Sequence, residues 1–462
     1  MAGPALKFGT SGWRAVIADE FTFGNARRAV AAIADVLEPD HAGGLLLVGH
    51  DTRFMAERFA RDAALLLASR GYRVAVSRGP IPTPVLALET IRRKAAGALN
   101  FTASHNPPKY LGLKFSSADG APALPEVTEK IEKRIAATGD VGSAPERDGE
   151  SFDAVPEYLA AIGRLVGGDG FPGFPVALDF RFGTSAGYLD AYFERAGAKV
   201  QKIHAEPDPL FGGQSPQCSA KELVELGDVV RRHPGSIGLA TDGDADRFGV
   251  LDEKGGYWQA NAILPLLAWD LYAAGRSRRG IARSVATTHA LDAIAKKFGV
   301  ELHETPVGFK YIGELLTEGK IAIGGEESAG MTIEGHVPDK DGILADVLVA
   351  RALRAAGKTL GALHADLEKE IGTFVSDRLD VPISDEEKKL LAGKRKNPPA
   401  KFGKRKVENV NLMDGLKLLL EGGAWVLLRE SGTEPIARFY AEAHSRKDLD
   451  ELLRDGRTFL RE

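Results

Sequence analysis

Apolar residues along this chain follow two alternating periods. From Gly44 the sequence reads GLLLVGHDTR, a short apolar run ending in polar residues, which predicts a buried strand feeding a loop. From Met55 to Ser69, Ala, Leu and Phe recur at helical spacing, Gly71 stands where a helix end wants a positive φ, and Tyr72–Val76 turns apolar again. Strand, helix, strand is a βαβ unit. The same grammar returns at Pro175–Phe180, a helix from about Ser185 to Arg195, Gly197, Ala198–Ile203 and Ser236–Ala240. It returns a third time at Arg283–Thr287, a helix over Ala290–Phe298, Gly299, Val300–Thr305, a helix near Ile312–Leu316, and Ile321–Ile323. Three such stretches predict tandem α/β units of one architecture.

The end of the chain is patterned differently. Ala424–Leu428 and Ile436–Ala443 are strands around a polar loop. In the second, Ala437, Phe439, Ala441 and Ala443 alternate with Arg438, Tyr440 and Glu442, which predicts an antiparallel strand with one wet face. A helix with Leu449, Leu452, Leu453 and Leu460 on one stripe follows, making the last unit α+β. Polar or turn-rich stretches at Gly139–Ser151, Glu253–Gly256 and around Gly372 divide the chain into 1–145, 146–254, 255–371 and 372–462. The basic run from Lys394 to Lys406, with Pro398 and Pro399 inside it, reads as a solvated loop.

Composition narrows the class. A chain of 462 residues holds about three or four domains at roughly 100–200 residues each. Hydrophobic residues at 44% and charged residues at 27% exclude a mainly disordered or fibrous chain. With 60 Lys+Arg against 64 Asp+Glu, no chain-wide field favours nucleic acid. Cys218 is the one cysteine, so an internal disulfide framework is impossible and a cysteine-rich zinc site is disfavoured. Neither a signal-like apolar segment in MAGPALKFGTSGWR nor a run of 18 apolar residues occurs, so a soluble cytoplasmic protein without a membrane partner is expected.

Four polar segments carry candidate chemistry. TASHNPP, Thr102 to Pro108, lies between Ala98–Phe101 and Leu111–Phe115, a strand-end loop expected to leave Ser104 exposed beside His105 and Asn106. That suits a nucleophile or phosphate-carrying hydroxyl, and the same residues also make an ordinary Asx/Pro turn. TDGDADRFGV sets Asp242, Asp244 and Asp246 two residues apart, so that all three can face one hard cation. Glu253 even falls at the twelfth position of a calcium loop, but Arg247 occupies the position where that loop needs Gly, and strands flank it. GGEESAG, Gly324 to Gly330, offers Glu326 and Ser328 to sugar hydroxyls, with Lys310 of PVGFK upstream as a candidate phosphate contact. RESGTEP, Arg429 to Pro435, gathers Arg429, the Ser431 and Thr433 hydroxyls and the Gly432 N–H into an anion cradle. A rival, GTSAG at Gly183–Gly187, matches a hydrolase elbow, but Ser185 is better read as a helix N-cap after a Gly-rich turn.

Taken together, FGTSGWR at Phe8–Arg14, TASHNPP with GLKF at Gly112–Phe115, DGDADR at Asp242–Arg247, GEES at Gly325–Ser328 and RESGTEP resemble the α-D-phosphohexomutase family in order and across essentially the whole chain. The resemblance implies three α/β domains with mixed sheets and a smaller C-terminal α+β domain around a central cleft. It implies that Ser104 is phosphorylated and that Asp242, Asp244, Asp246 and a phosphoserine oxygen hold Mg²⁺. It places Arg14 and Arg247 near the reacting phosphate, offers His105 and Lys114 as alternatives for proton transfer, gives Glu326 and Ser328 to sugar hydroxyls and RESGTEP to the other phosphate. Glucose 1,6-bisphosphate is the implied intermediate. Members favouring mannose often continue the Glu-x-Ser loop with Gly-His, whereas this chain has Ala329-Gly330, and Glu327 stands where glucosamine members carry Gln. The expected activity is therefore interconversion of glucose 1-phosphate and glucose 6-phosphate. A mannose-preferring or dual enzyme, a serine hydrolase on Ser185 and a non-catalytic sugar-phosphate binder are the rivals.

Overall fold

The computed structural model describes residues 6–8, 12–146, 149–168, 170–430 and 436–459. Four sheets follow one another along the chain. The first has the order Trp13–Val16, Tyr110–Ser117, Gly97–Phe101, Leu45–His50, Arg73–Ser77, Glu150–Phe152, with Tyr110–Ser117 alone running against the other five. The second, from Tyr257–Trp258 through Phe248–Leu251, Ile237–Thr241 and Pro175–Asp179 to Lys199–Ile203, is mixed, as is the third, built on Gly280–Ser284 and Ile321–Glu326. The fourth is antiparallel throughout and carries the helix Arg446–Phe459.

The α/β grammar is realised closely. The helix Ala56–Ser69 ends before Gly71, whose φ of +91° lets the chain turn back into Arg73–Ser77, and Ala290–Phe298 is a helix end to end. Five expectations are corrected. The helix expected from Ser185 begins only at Leu189, because residues 181–188 are taken up by turns in which Arg181 and Phe182 hold positive φ. The strand expected at Arg283–Thr287 lies three residues earlier, at Gly280–Ser284. The stretch Gly139–Ser151 is not wholly a linker, since Glu150–Phe152 adds an edge strand to the first sheet. The basic run is no plain loop: Lys394–Lys396 close the helix Asp385–Lys396, and Lys401–Phe402 pairs with Arg405–Asn411 while Phe402 enters the core. Finally, Ile436–Ala443 has no wet face at its far end, because Tyr440 packs with Trp425 and Leu427 against Val285 and Ala286 of the third unit, and buried Glu442 accepts from His289 N at 2.9 Å. Leu449 and Leu452 are buried on the expected stripe, whereas Leu460 lies outside the described residues.

One helix crosses unit boundaries. Gly342–Ala356 follows the third sheet in sequence but packs on Ile237–Thr241 and Phe248–Leu251 of the second. A side chain at Gly342 would place Cβ 2.2 Å from Arg247 O, so this helix end fits directly beneath the three-aspartate loop. No helix among the described residues is long and apolar enough to cross a membrane.

Candidate active site

Ser104 follows the strand Gly97–Phe101 in a loop folded on itself: Thr102 N donates to Gly112 O at 3.0 Å, Ser104 N to Thr102 Oγ1 at 2.9 Å, and Asn106 N to Ala103 O at 3.0 Å. Its φ of +49° is left-handed, a conformation that costs a residue with a Cβ about 1–2 kcal/mol. The expected exposure of Ser104 is corrected, since the residue is only 1% exposed. The aspartate loop of the second unit lies over it, with Ser104 Oγ donating to Asp242 Oδ2 at 2.8 Å and Gly243 so close that a Cβ there would meet Ser104 O at 2.9 Å. Around it stand His105, with Nδ1 3.3 Å from Ser104 Oγ, and Arg14, whose Nη1 donates to Asn106 Oδ1 at 2.8 Å.

Asp242, Asp244 and Asp246 are buried, with carboxylate oxygens within 4.8 Å of one another. Lys114 Nζ lies 2.6 Å from Asp244 Oδ2 and 2.8 Å from Asp246 Oδ2, and Lys340 Nζ reaches the latter at 3.3 Å. Asp244 Oδ1 and Asp246 Oδ1 are buried without a hydrogen-bond partner. Orphaned carboxylate oxygens on clustered aspartates beside a serine hydroxyl are the donor set of a hard divalent cation, so the residues fit Mg²⁺. Burial, then the charges of Asp246 and Asp244, push Asp242 up to about 8. Asp246 goes the other way: burial raises it, but Lys114, Lys340 and Arg247 outweigh that and hold it well below the usual range.

The two proton-transfer candidates separate electrostatically. Arg247, burial and Arg14 lower His105 well below an ordinary imidazole, whereas burial of Lys114 is overcome by Asp244 and Asp246, which raise it. At neutral pH His105 is therefore unprotonated and Lys114 protonated.

The third segment comes to the same place. Glu326 ends the strand Ile321–Glu326, is 4% exposed and accepts from Gly308 N at 2.8 Å; burial and neighbouring Glu327 push it up to about 7. Ser328 sits half-buried in the turn that follows, and Lys310, also half-buried at the start of Phe309–Thr317, lies 5.3 Å from the Tyr311 ring. Arg429 pairs with Asp414 at 2.8 Å, and that same Asp414 oxygen accepts from Val307 N at 2.9 Å. Ser431, Gly432 and Thr433 lie outside the described residues, as do residues 9–11 of the first motif.

Family models of phosphoglucomutase/phosphomannomutase match all along the chain: the alpha/beta/alpha domains I, II and III at residues 5–141, 156–256 and 259–371, and the C-terminal domain at 386–461. The chain belongs to this family. It is an α-D-phosphohexomutase, an isomerase that moves a phosphoryl group within one hexose phosphate. A phosphoglucomutase/phosphomannomutase of Thermococcus kodakarensis is 29% identical over 98% of each chain, and a phosphoglucosamine mutase of Clostridium botulinum 30% over 96% of each. A solved structure from Thermus thermophilus, named for phosphomannomutase, is 35% identical, covers both chains fully and superposes with a TM-score of 0.87. These relatives carry three sugar names, so kinship gives the reaction class and not the sugar.

Against this phosphohexomutase frame the hydrolase reading fails: Ser185 is fully buried and its hydroxyl accepts from Thr241 Oγ1 at 2.7 Å, and it is no helix cap. Among the buried cations that the sequence reading missed, three stand around this site. Arg53 and Arg181 grip backbone carbonyls behind the site, and Lys340, between Asp246 and Asp339, runs beneath Gly330 toward the sugar loop. The signal for the two arginines was present as Asp-x-Arg at the polar end of an apolar run, Asp51–Arg53 in GLLLVGHDTR and Asp179–Arg181 at the end of Pro175–Phe180. Lys340 had only the run PDKDG to mark it.

Proposed function

We propose that the enzyme is a Mg²⁺-dependent phosphoglucomutase that interconverts glucose 1-phosphate and glucose 6-phosphate through phospho-Ser104 and a glucose 1,6-bisphosphate intermediate. The observation that carries the mechanism is the 2.8 Å contact of Ser104 Oγ with an aspartate cluster that keeps orphaned oxygens. In the transfer, a sugar hydroxyl oxygen forms a bond to phosphorus as the Ser104 Oγ–P bond breaks. The hydroxyl proton passes to a neutral base, a role open to unprotonated His105, whose Nδ1 lies 3.3 Å from Ser104 Oγ, and protonated Lys114 lies beside the aspartates to compensate the charge moving between oxygens. Arg14 and Arg247 neutralise the phosphoryl oxygens. Asp242, Asp244, Asp246 and Ser104 would hold the cation, which when bound supplies further charge neutralisation to the same oxygens.

Glu326 and Ser328 read sugar hydroxyls, Lys310 meets a phosphate oxygen, and Arg429 with Ser431, Gly432 and Thr433 holds the phosphate that is not reacting. Because the bisphosphate must present each end in turn, an arginine fork with hydroxyl and backbone donors suits the anchoring role. The sugar assignment rests on the loop after Ser328. Lys340 fills the space beside Gly330, where a Cβ would fall 2.2 Å from Lys340 Cδ, so the histidine common in mannose-preferring relatives has no room. A coupled assay with Mg²⁺ and catalytic glucose 1,6-bisphosphate, comparing glucose 1-phosphate with mannose 1-phosphate, tests this. Higher kcat/KM for glucose 1-phosphate is expected. Equal or reversed values make the enzyme dual or mannose-preferring, and turnover of neither sugar removes the reading.

A further inference from the structure

The Ser104 loop is held from behind by one side chain. Arg53 is buried, and all five of its guanidinium N–H groups are engaged: Nε donates to Asp51 Oδ2 at 3.0 Å, Nη2 to Ser104 O at 2.6 Å and Asn106 O at 2.7 Å, and Nη1 to Pro107 O at 2.9 Å and Tyr110 O at 3.0 Å. Asp51 fixes the clamp by also accepting from Arg53 N at 2.9 Å. The carbonyl of His105, the one Arg53 leaves out between Ser104 and Pro107, accepts from Ser215 Oγ at 2.7 Å, and Ser215 comes from the second unit.

That second contact is held by a copy of the first device. Asp179 accepts from Arg181 N at 2.8 Å, and Arg181 donates to Gln214 Oε1 at 3.0 Å, Ser215 O at 3.2 Å and Glu222 O at 3.2 Å. The same segment bonds the aspartate loop, Gly243 N donating to Pro216 O at 3.0 Å. Thr52 Oγ1 donates to Phe182 O at 2.9 Å, and the Arg53 guanidinium lies 4.9 Å from the Phe211 ring centre, so the two clamps are tied to each other.

We propose that Arg53 is a positioning residue for phosphoryl transfer, holding Ser104 in its left-handed conformation and aimed at Asp242, with Arg181 and Ser215 as the matching clamp that fixes the aspartate loop against it. The inference rests on the reading of Ser104 as the phosphate carrier. No contact of Arg53 reaches the Ser104 side chain, so its effect belongs in kcat and not in sugar-phosphate binding. A lysine keeps the charge but offers three donors without the planar fork, so it cannot satisfy the same carbonyls.

The test compares wild type, Arg53→Lys and Ser215→Ala in steady-state turnover of glucose 1-phosphate, in single-turnover transfer from phosphorylated enzyme, and in thermal unfolding. Misplacement by about 1 Å can cost on the order of 10²-fold, so Arg53→Lys should lower kcat and the single-turnover rate by about 10²-fold, with KM within about threefold. Ser215→Ala, which removes one bond of the set, should lower the same two rates by about three- to tenfold with KM unchanged. Folded Arg53→Lys with kcat within about threefold of wild type overturns the proposal, as does a rise in KM that accounts for the whole loss. If Arg53→Lys does not fold, Ser215→Ala decides: a wild-type single-turnover rate overturns the proposal, and a lowered rate at constant KM supports it. A wild-type protein that never phosphorylates at Ser104 sinks the underlying reading instead, which separates the two failures.

Discussion

The aspartate loop and the glutamate loop are built alike and charged differently. Each leaves the end of an inner strand of its sheet, each carries acids at short spacing, and each buries its first acid, Asp242 or Glu326. Around the aspartates, Lys114, Lys340 and Arg247 hold Asp246 well below the usual carboxylate range, while Asp242, which accepts from Ser104, is itself pushed up to about 8. At the glutamates, burial of Glu326 next to Glu327 pushes its carboxyl up to about 7. The contrast separates two tasks. Moving a phosphoryl group requires fixed charge ready to meet fixed charge, whereas reading a hydroxyl requires a well-aimed acceptor that need not carry full charge.

The sharpest break of that comparison is removal of the carrier itself. Ser104→Ala should reduce turnover by on the order of 10⁴-fold and abolish the species about 80 Da heavier in intact-protein mass spectra. Wild-type turnover, or phosphate mapped to another residue, would show that the aspartates serve something else. Next in size, Asp244→Asn should lower kcat by about 10²–10³-fold with little change in KM, and exhaustive chelation of wild type should do the same reversibly. Full activity of chelated enzyme would erase the distinction between the loops. At the other loop the expected split is reversed: Glu326→Ala should raise KM for glucose 1-phosphate by about tenfold or more while kcat changes less. A pure kcat defect there would place Glu326 in the transfer chemistry.

The smallest effect is electrostatic. Glu326 keeps a proton in the folded state up to about 7 that an ordinary glutamate, near 4.5, gives up earlier. Its contribution to stability is therefore complete below about pH 4.5 and lost as pH rises through about 7. Glu326→Gln is neutral throughout, so its melting temperature should gain on wild type by a few degrees between pH 5 and pH 8. Parallel melting curves at both pH values would mean that the carboxyl is not held up.

What the sequence revealed follows from where each feature's physics resides. The βαβ grammar and the three aspartates are local patterns, and they sit where the spacing put them. Burial of Ser104 and of Tyr440 was not legible, because each is covered by a neighbouring unit far away in sequence. The same distance hid Arg53, Arg181 and Lys340. A lone charged residue after a strand normally faces water, and only the folded chain supplies the carbonyls and carboxylates that make its burial tolerable. The helix expected at Ser185 failed for a related reason, since Thr241 and the turns near Arg181 claim those residues first.

The helix Gly342–Ala356, seated under the aspartate loop, has a consequence for how the protein is made. A chain emerging from the ribosome presents Asp242–Asp246 long before the helix that supports them. Translation from Arg247 to Gly342 takes roughly 5–20 s at about 5–20 residues per second. Throughout that interval the second sheet has an uncovered apolar face, and the acids have neither Lys340 nor a floor. Packing of that helix on the second sheet therefore has to wait until the chain has been synthesised past Ala356, well after the strands it covers.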